Sequence, residues 1–287
     1  EPNVGSSVVT TYSGDAFTAI AIDPTDENIV YAMRNNTIRK TLNGGATWNT
    51  VNMGFGTPNA IAIKPSNPSV LYVAASNGLY KSVNGGAAWA LVAGTNGNVT
   101  DVFFKTNADT VVYILRQSGG YTEPYRSVDD GVTFTLSNTG WTGKGYTADG
   151  GGRMTVTPAD PERIYAIVLG NTVSKPYIFR SNDGGVTWDT TCTGIIGSGG
   201  GSTALPLGMS NGQGYYDLDI IANPLNADQL IVATNTAYRS VNGGSTFTQL
   251  GGYGGPFSIH PDIQEMIAAG GDTWIATDGG VPYSSDF

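Results

Sequence analysis

A nine-residue pattern recurs along the chain: a basic residue, Ser or Thr, any residue, Asn or Asp, Gly or Asp, Gly, any residue, Thr or Ala, and Trp or Phe. The first copy is Lys40-Thr41-Leu42-Asn43-Gly44-Gly45-Ala46-Thr47-Trp48. Further copies run from Lys81 to Trp89, Arg126 to Phe134, Arg180 to Trp188 and Arg239 to Phe247. A degenerate sixth, Tyr283-Ser284-Ser285-Asp286-Phe287, stands where the sequence stops. A unit returning every ~40–60 residues signals a repeat architecture.

Each unit reads alike. An apolar run comes first, often ending at a proline: Ala19 to Pro24, Ala60 to Pro65, Met154 to Pro158, Leu218 to Pro224; Val102 to Lys105 lacks the proline. A polar turn, a second apolar run, a third run carrying the basic residue into the motif and a fourth starting at its aromatic follow. Short runs rich in Val, Ile, Tyr and Thr, bounded by Gly, Pro and Asn, are strands. Four antiparallel strands per unit make a propeller blade. The expected fold is therefore all-β, a single propeller over residues 1–287 with inner strands starting near 17, 59, 100, 153, 217 and 263. Six blades are favoured over seven. In the sixth, Ile263 to Ala269, Thr273 to Thr277 and Val281 to Ser285 supply three strands, and Ser7 to Tyr12 would supply the fourth and close the ring.

The motif has a structural reading. An Asn or Asp side chain (Asn43, Asn84, Asp129, Asp183, Asn242) accepts hydrogen bonds from the turn that follows. The Gly pair supplies positive φ. The aromatic (Trp48, Trp89, Phe134, Trp188, Phe247) packs between blades.

Composition excludes several classes. With a net charge of −9 and no basic stripe, nucleic acid is an improbable partner. A lone cysteine, Cys192, forbids an internal disulfide and a cysteine-rich zinc site. No apolar run reaches the ~20 residues of a membrane span. Low Lys with abundant Thr, Asn and Gly points to an extracellular or cell-surface protein, and Glu1 to a mature N-terminus after processing.

The copy Arg180-Ser181-Asn182-Asp183-Gly184-Gly185-Val186-Thr187-Trp188 resembles the Asp-box, or bacterial neuraminidase repeat, with one residue inserted. Propellers of that kind include sialidases, xyloglucanases, sortilin-type receptors and photosystem assembly factors. A narrower likeness lies in Gly212 to Leu218, His260-Pro261-Asp262-Ile263-Gln264 and Thr277-Asp278-Gly279-Gly280-Val281. These segments resemble propellers of large secreted proteins from Bacteroidota, which usually carry a second His where this chain has Gln264. The resemblance implies a secreted bacterial protein.

Loops entering the inner strands gather on one face of a propeller, the default ligand site. Binding candidates there are Asp15, Asp101, Trp141, Tyr146, Arg153, Tyr215, Tyr216, Asp217, His260 and Asp262. Aromatic rings stack on sugars, and carboxylates, amides and Arg bond hydroxyls. The expected function is a non-catalytic module that recognises a glycan or a surface protein. The alternatives are a glycoside hydrolase and an architectural repeat of a larger surface assembly. A hydrolase needs two carboxylates ~5–9.5 Å apart, with Asp149 and Asp217 the first choice. Asp219 faces the same side of its strand as Asp217. A sialidase would need an arginine triad, yet Arg39 lies beside a motif and Arg126, Arg180 and Arg239 begin motifs. No cofactor is implied, and no metal site stands out. Calcium held by Asp and backbone carbonyls would suit the acidic loops, but no EF-hand-like spacing exists.

Overall fold

The computed structural model describes residues 18–34, 36–52, 54, 56–141, 151–170, 175–193, 213–214 and 216–287. It is all-β, with no helix among these residues. Two compact units, Glu1–Val102 and Phe103–Phe287, divide the chain.

Six antiparallel sheets form, each a meander in chain order. The first holds β1 (Ala19–Asp23), β2 (Asp26–Arg34), β3 (Thr37–Thr41) and β4 (Asn49–Asn52). The second holds β5 (Pro58–Ile63), β6 (Leu71–Ala75), β7 (Gly78–Ser82) and β8 (Ala90–Leu91). In the third are β9 (Val99–Lys105), β10 (Ala108–Ser118), β11 (Tyr121–Ser127) and β12 (Thr135–Leu136). The fourth comprises β13 (Gly152–Thr157), β14 (Asp160–Gly170), β15 (Lys175–Ser181) and β16 (Asp189–Thr193). The fifth comprises β17 (Asp219–Ala222), β18 (Leu230–Ala233), β19 (Thr236–Ser240) and β20 (Thr248–Gly252). Among the described residues the sixth has three strands: β21 (Ile263–Ala269), β22 (Asp272–Thr277) and β23 (Tyr283–Ser284). These sheets are propeller blades. The expected closing strand, Ser7 to Tyr12, lies outside the described residues.

All five complete motifs fold into one turn. The first turn glycine has φ near +65° at Gly44, Gly85, Gly184 and Gly243, and Asp130 takes φ 59° at the same place in the third copy. Asp tolerates this left-handed region better than most residues. The Asx oxygen accepts the backbone N–H four residues on, at 2.9 Å in every copy (Thr47, Ala88, Thr133, Thr187, Thr246). The Ser or Thr of the motif does as much. Its hydroxyl, wholly buried, accepts the N–H of the second glycine at 2.8–3.0 Å and donates to the Asx side chain. Ser181→Ala strips Gly185 N–H of its acceptor in a buried turn. A loss of about 1–3 kcal/mol is expected, seen as a lower urea midpoint at unchanged slope; an unmoved midpoint would deny the hydroxyl this role.

Three of the motif aromatics, Trp89, Trp188 and Phe247, then pack between sheets. In the first unit, Tyr31, Met33 and Ile38 meet Leu71, Val73 and Ala75, with Trp89 against them. In the second, Phe247 joins Tyr165, Ile178, Leu218, Ile220 and Val232, and Trp188 joins Tyr113, Met154, Phe179 and Trp141. Each such side chain removes apolar surface from water, worth ~1.5–3 kcal/mol.

Candidate functional site

Four short segments of the second unit meet beside the head of β17. Tyr216 N–H and Asp217 N–H both donate to Gln213 O at 2.8 Å. Asn235, in the β18–β19 connection, donates through Nδ2 to Gln213 Oε1 at 2.9 Å and to Asp262 Oδ1. Asp262 stands at φ 63°, and its carbonyl accepts Asp278 N–H at 3.3 Å. Gln264 donates to Tyr216 Oη at 2.7 Å and to Asp278 Oδ1. His260 lies against Gly279, where a Cβ would approach its ring to 2.4 Å, and its Nδ1 contacts Pro261 O at 2.9 Å.

Asp217 is the unusual member. Its side chain has no exposed surface, and neither carboxylate oxygen has a hydrogen-bond partner among the described residues. Burial pushes its pKa up to about 6, and the charges of Asp262 and Asp278 add to the rise. Asn235, 3% exposed, likewise has an unpartnered buried Oδ1. Buried polar atoms are normally paired, so three orphaned acceptors in one place call for explanation. Beside them Tyr216 is 45% exposed.

A second group lies along the neighbouring strands β13, β17 and β21. Asp219 spans β17 and β21: its Oδ1 accepts Ile220 N–H at 2.8 Å and its Oδ2 accepts Met266 N–H at 2.6 Å. Burial nevertheless lifts it to about 6, against those bonds and the charge of Arg153. Glu265 rises further, to about 7, through burial and the charge of Asp219, with Arg153 opposing. Sequence reasoning passed over Glu265, Gln213, Asn235 and Asp278 as site residues. Gln213 and Asp278 stood in segments that had drawn notice; Asn235 and Glu265 did not.

Of the sequence candidates, Tyr216, Asp217, His260 and Asp262 are brought together, and Arg153 joins the second group. Asp101 lies in β9 of the other unit, 3% exposed, accepting Val102 N–H at 2.9 Å. Trp141 requires correction as a sugar platform. It is 3% exposed, stacked on Phe179 and edge-on to Trp188, so neither ring face is open. Asp15, Tyr146, Asp149 and Tyr215 lie outside the described residues. No group of three or more His, Cys, Asp or Glu among the described residues could hold a metal ion. No helix among them is long and apolar enough to cross a membrane.

No family model matches the chain. No curated protein matches it either. Solved structures do. An ancestral GH74 enzyme aligns at TM-score 0.68 and 17% identity, over 91% of this chain and 34% of its own. An auxiliary nutrient-binding protein from Bacteroides thetaiotaomicron VPI-5482 aligns at TM-score 0.62 and 11% identity, over 94% of this chain and 69% of its own. YCF48 bound to a D1 peptide aligns at 0.58 and 16%, over 96% and 80%. The chain thus spans about a third of the GH74 enzyme. At such identities the likeness establishes the fold, a β-propeller, which enzymes and binding proteins share.

Proposed function

We propose that this chain is an extracellular glycan-binding module whose site is built by Gln213, Tyr216, Asp217, Asn235, Asp262, Gln264 and Asp278. One observation carries this reading: wholly buried Asp217 has two oxygens unpartnered among the described residues, and its chain neighbour Tyr216 is exposed. A sugar supplies both complements, hydroxyl donors for the carboxylate and a C–H face for the ring. A nutrient-binding protein among the structural neighbours agrees with it.

Glycoside hydrolysis is the second reading. It is favoured by Glu265, whose carboxyl is raised to about 7, with Asp217 raised to about 6, since a general acid needs a raised pKa.

Titration against plant, mucin and bacterial polysaccharides, with reducing ends measured in the same tubes, separates the two. Binding without release is expected, weakened at least about tenfold by Tyr216→Ala, as loss of a stacked ring costs ~1–3 kcal/mol. Release that vanishes in Glu265→Gln would make the chain a glycosidase. Binding to a peptide or protein with no affinity for any saccharide would end the glycan reading.

A further inference from the structure

We infer that the group seated at Asp217 is a protonated primary amine, so that among glycans this site selects those with free, unacetylated amino sugars. The inference rests on the glycan-binding reading and narrows its ligand. Its first support is the kind of atom left over. The orphaned groups are all acceptors: Oδ1 and Oδ2 of Asp217 and Oδ1 of Asn235. The Asn235 amide N–H groups are committed to Gln213 and Asp262, so the side chain is fixed with its nitrogen turned to those partners. A sugar hydroxyl brings one donor and two lone pairs that need donors of their own. An ammonium brings three donors and no acceptor, matching three orphaned oxygens.

Charge is the second support. Asp262 and Asp278 both act on Asp217 with the same sign. None of the three forms an ion pair with a Lys or Arg among the described residues. A buried carboxylate without a counter-charge is costly, and a cationic ligand removes that cost. A metal ion would also bring positive charge, but calcium takes 6–8 oxygens, and among the described residues no group of three acidic side chains is placed to hold one. An amine needs no such convergence. Tyr216, the residue before Asp217, is exposed, and an aromatic face suits a sugar or a cation alike.

The test compares the glucosamine disaccharide with its N-acetylated counterpart, by calorimetry on the full chain. A pH of about 6.5 keeps most of the amino groups of the free-amine sugar charged, although neighbouring oxygens make them less basic than a lysine. Salt at about 0.15 M screens the general negative field of the protein. The free-amine sugar is expected to bind at least about tenfold tighter. Asp217→Asn, which is isosteric and removes an unpaired buried charge, should bring the ratio to about one and unfold no earlier than the parent. Asn235→Ala, which spares the carboxylate, should lower the ratio in part. Exposed Glu27→Gln, an equal change in net charge, should leave it alone. Equal affinities for the two disaccharides, or a ratio that survives Asp217→Asn, would overturn the inference and leave the glycan-binding module standing. Tighter binding of the acetylated sugar would do the same. Failure of every saccharide to bind would remove the module reading and the inference with it.

Discussion

Trp141→Ala is expected to cost about 3–5 kcal/mol of stability, the range for deleting a buried aromatic, and to leave glycan affinity of the folded protein unchanged. The ring lies 3.7 Å from Phe179, centroid to centroid and nearly parallel, and 5.0 Å from Trp188 at 84°. Such pairs add about 0.5–1.5 kcal/mol beyond area burial. Its Nε1 donates to Thr122 O at 3.0 Å, so the substitution also orphans a buried carbonyl. Relaxation cannot fill the gap easily. Gly140, at φ 80°, runs so close to the neighbouring chain that a Cβ would come within 2.0 Å of Trp188 O. The measurement is a urea midpoint for the variant beside Trp141→Phe, which keeps a ring for stacking but loses the hydrogen bond and part of the indole's volume. The larger loss belongs to alanine. A variant that unfolds normally but loses ligand would restore Trp141 to a binding face and refute the core assignment.

Stability should fall by about 2 kcal/mol between pH 5 and pH 8 because of Glu265 alone, a shift of one pKa unit being worth ~1.4 kcal/mol. Its carboxyl is raised from the ordinary 4.5 to about 7. Below about 4.5 it is protonated in both the folded and unfolded chain and costs nothing. Between the two values the unfolded chain ionises while the folded one keeps its proton, so stability declines as pH rises. Above about 7 the full cost is present. The figure is kept below the full shift because Glu265 is only partly shielded from water. Glu265→Gln should flatten that slope and raise the melting temperature most at pH 8. A slope unchanged in the variant would show that Glu265 is not held protonated. The motif carboxylates do not confuse the window. Asp129, held down to about 2 by the Thr133 hydroxyl and backbone and by Ser127, loses its contribution only as pH falls toward that value. For Asp183 burial is the largest single influence and raises it, but the hydrogen bonds from Thr187, Ser181 and Val186 together outweigh it and hold the carboxyl low, so it behaves alike.

What could be read from the sequence follows from how local each interaction is. Ser82, Asn84 and Gly86 answer to partners within four residues, so their spacing is itself the record of their geometry. The sheets follow, because every strand pairs with its neighbour in sequence. The site is another matter. Glu265 belongs to a strand with no local mark of function; its raised pKa comes from burial and from the charge of Asp219 on another strand, with Arg153 opposing. Gln213 and Asn235 are ordinary loop residues until the fold places them beside Asp262. Trp141 misled for the converse reason: a Trp before a Gly-rich polar loop reads as exposed, and only tertiary packing on Phe179 puts it inside.

The meander order of the sheets bears on how the chain comes to be folded. Each strand finds its partner immediately before or after it, so hydrogen-bonding a sheet closes only short loops, with little entropy to overcome. Local pairing of this kind speeds the search for the native state. A polypeptide delivered vectorially, N-terminus first, can therefore settle one sheet while the next is still arriving. Its Trp and Phe anchors then lock each newcomer onto the sheet already in place.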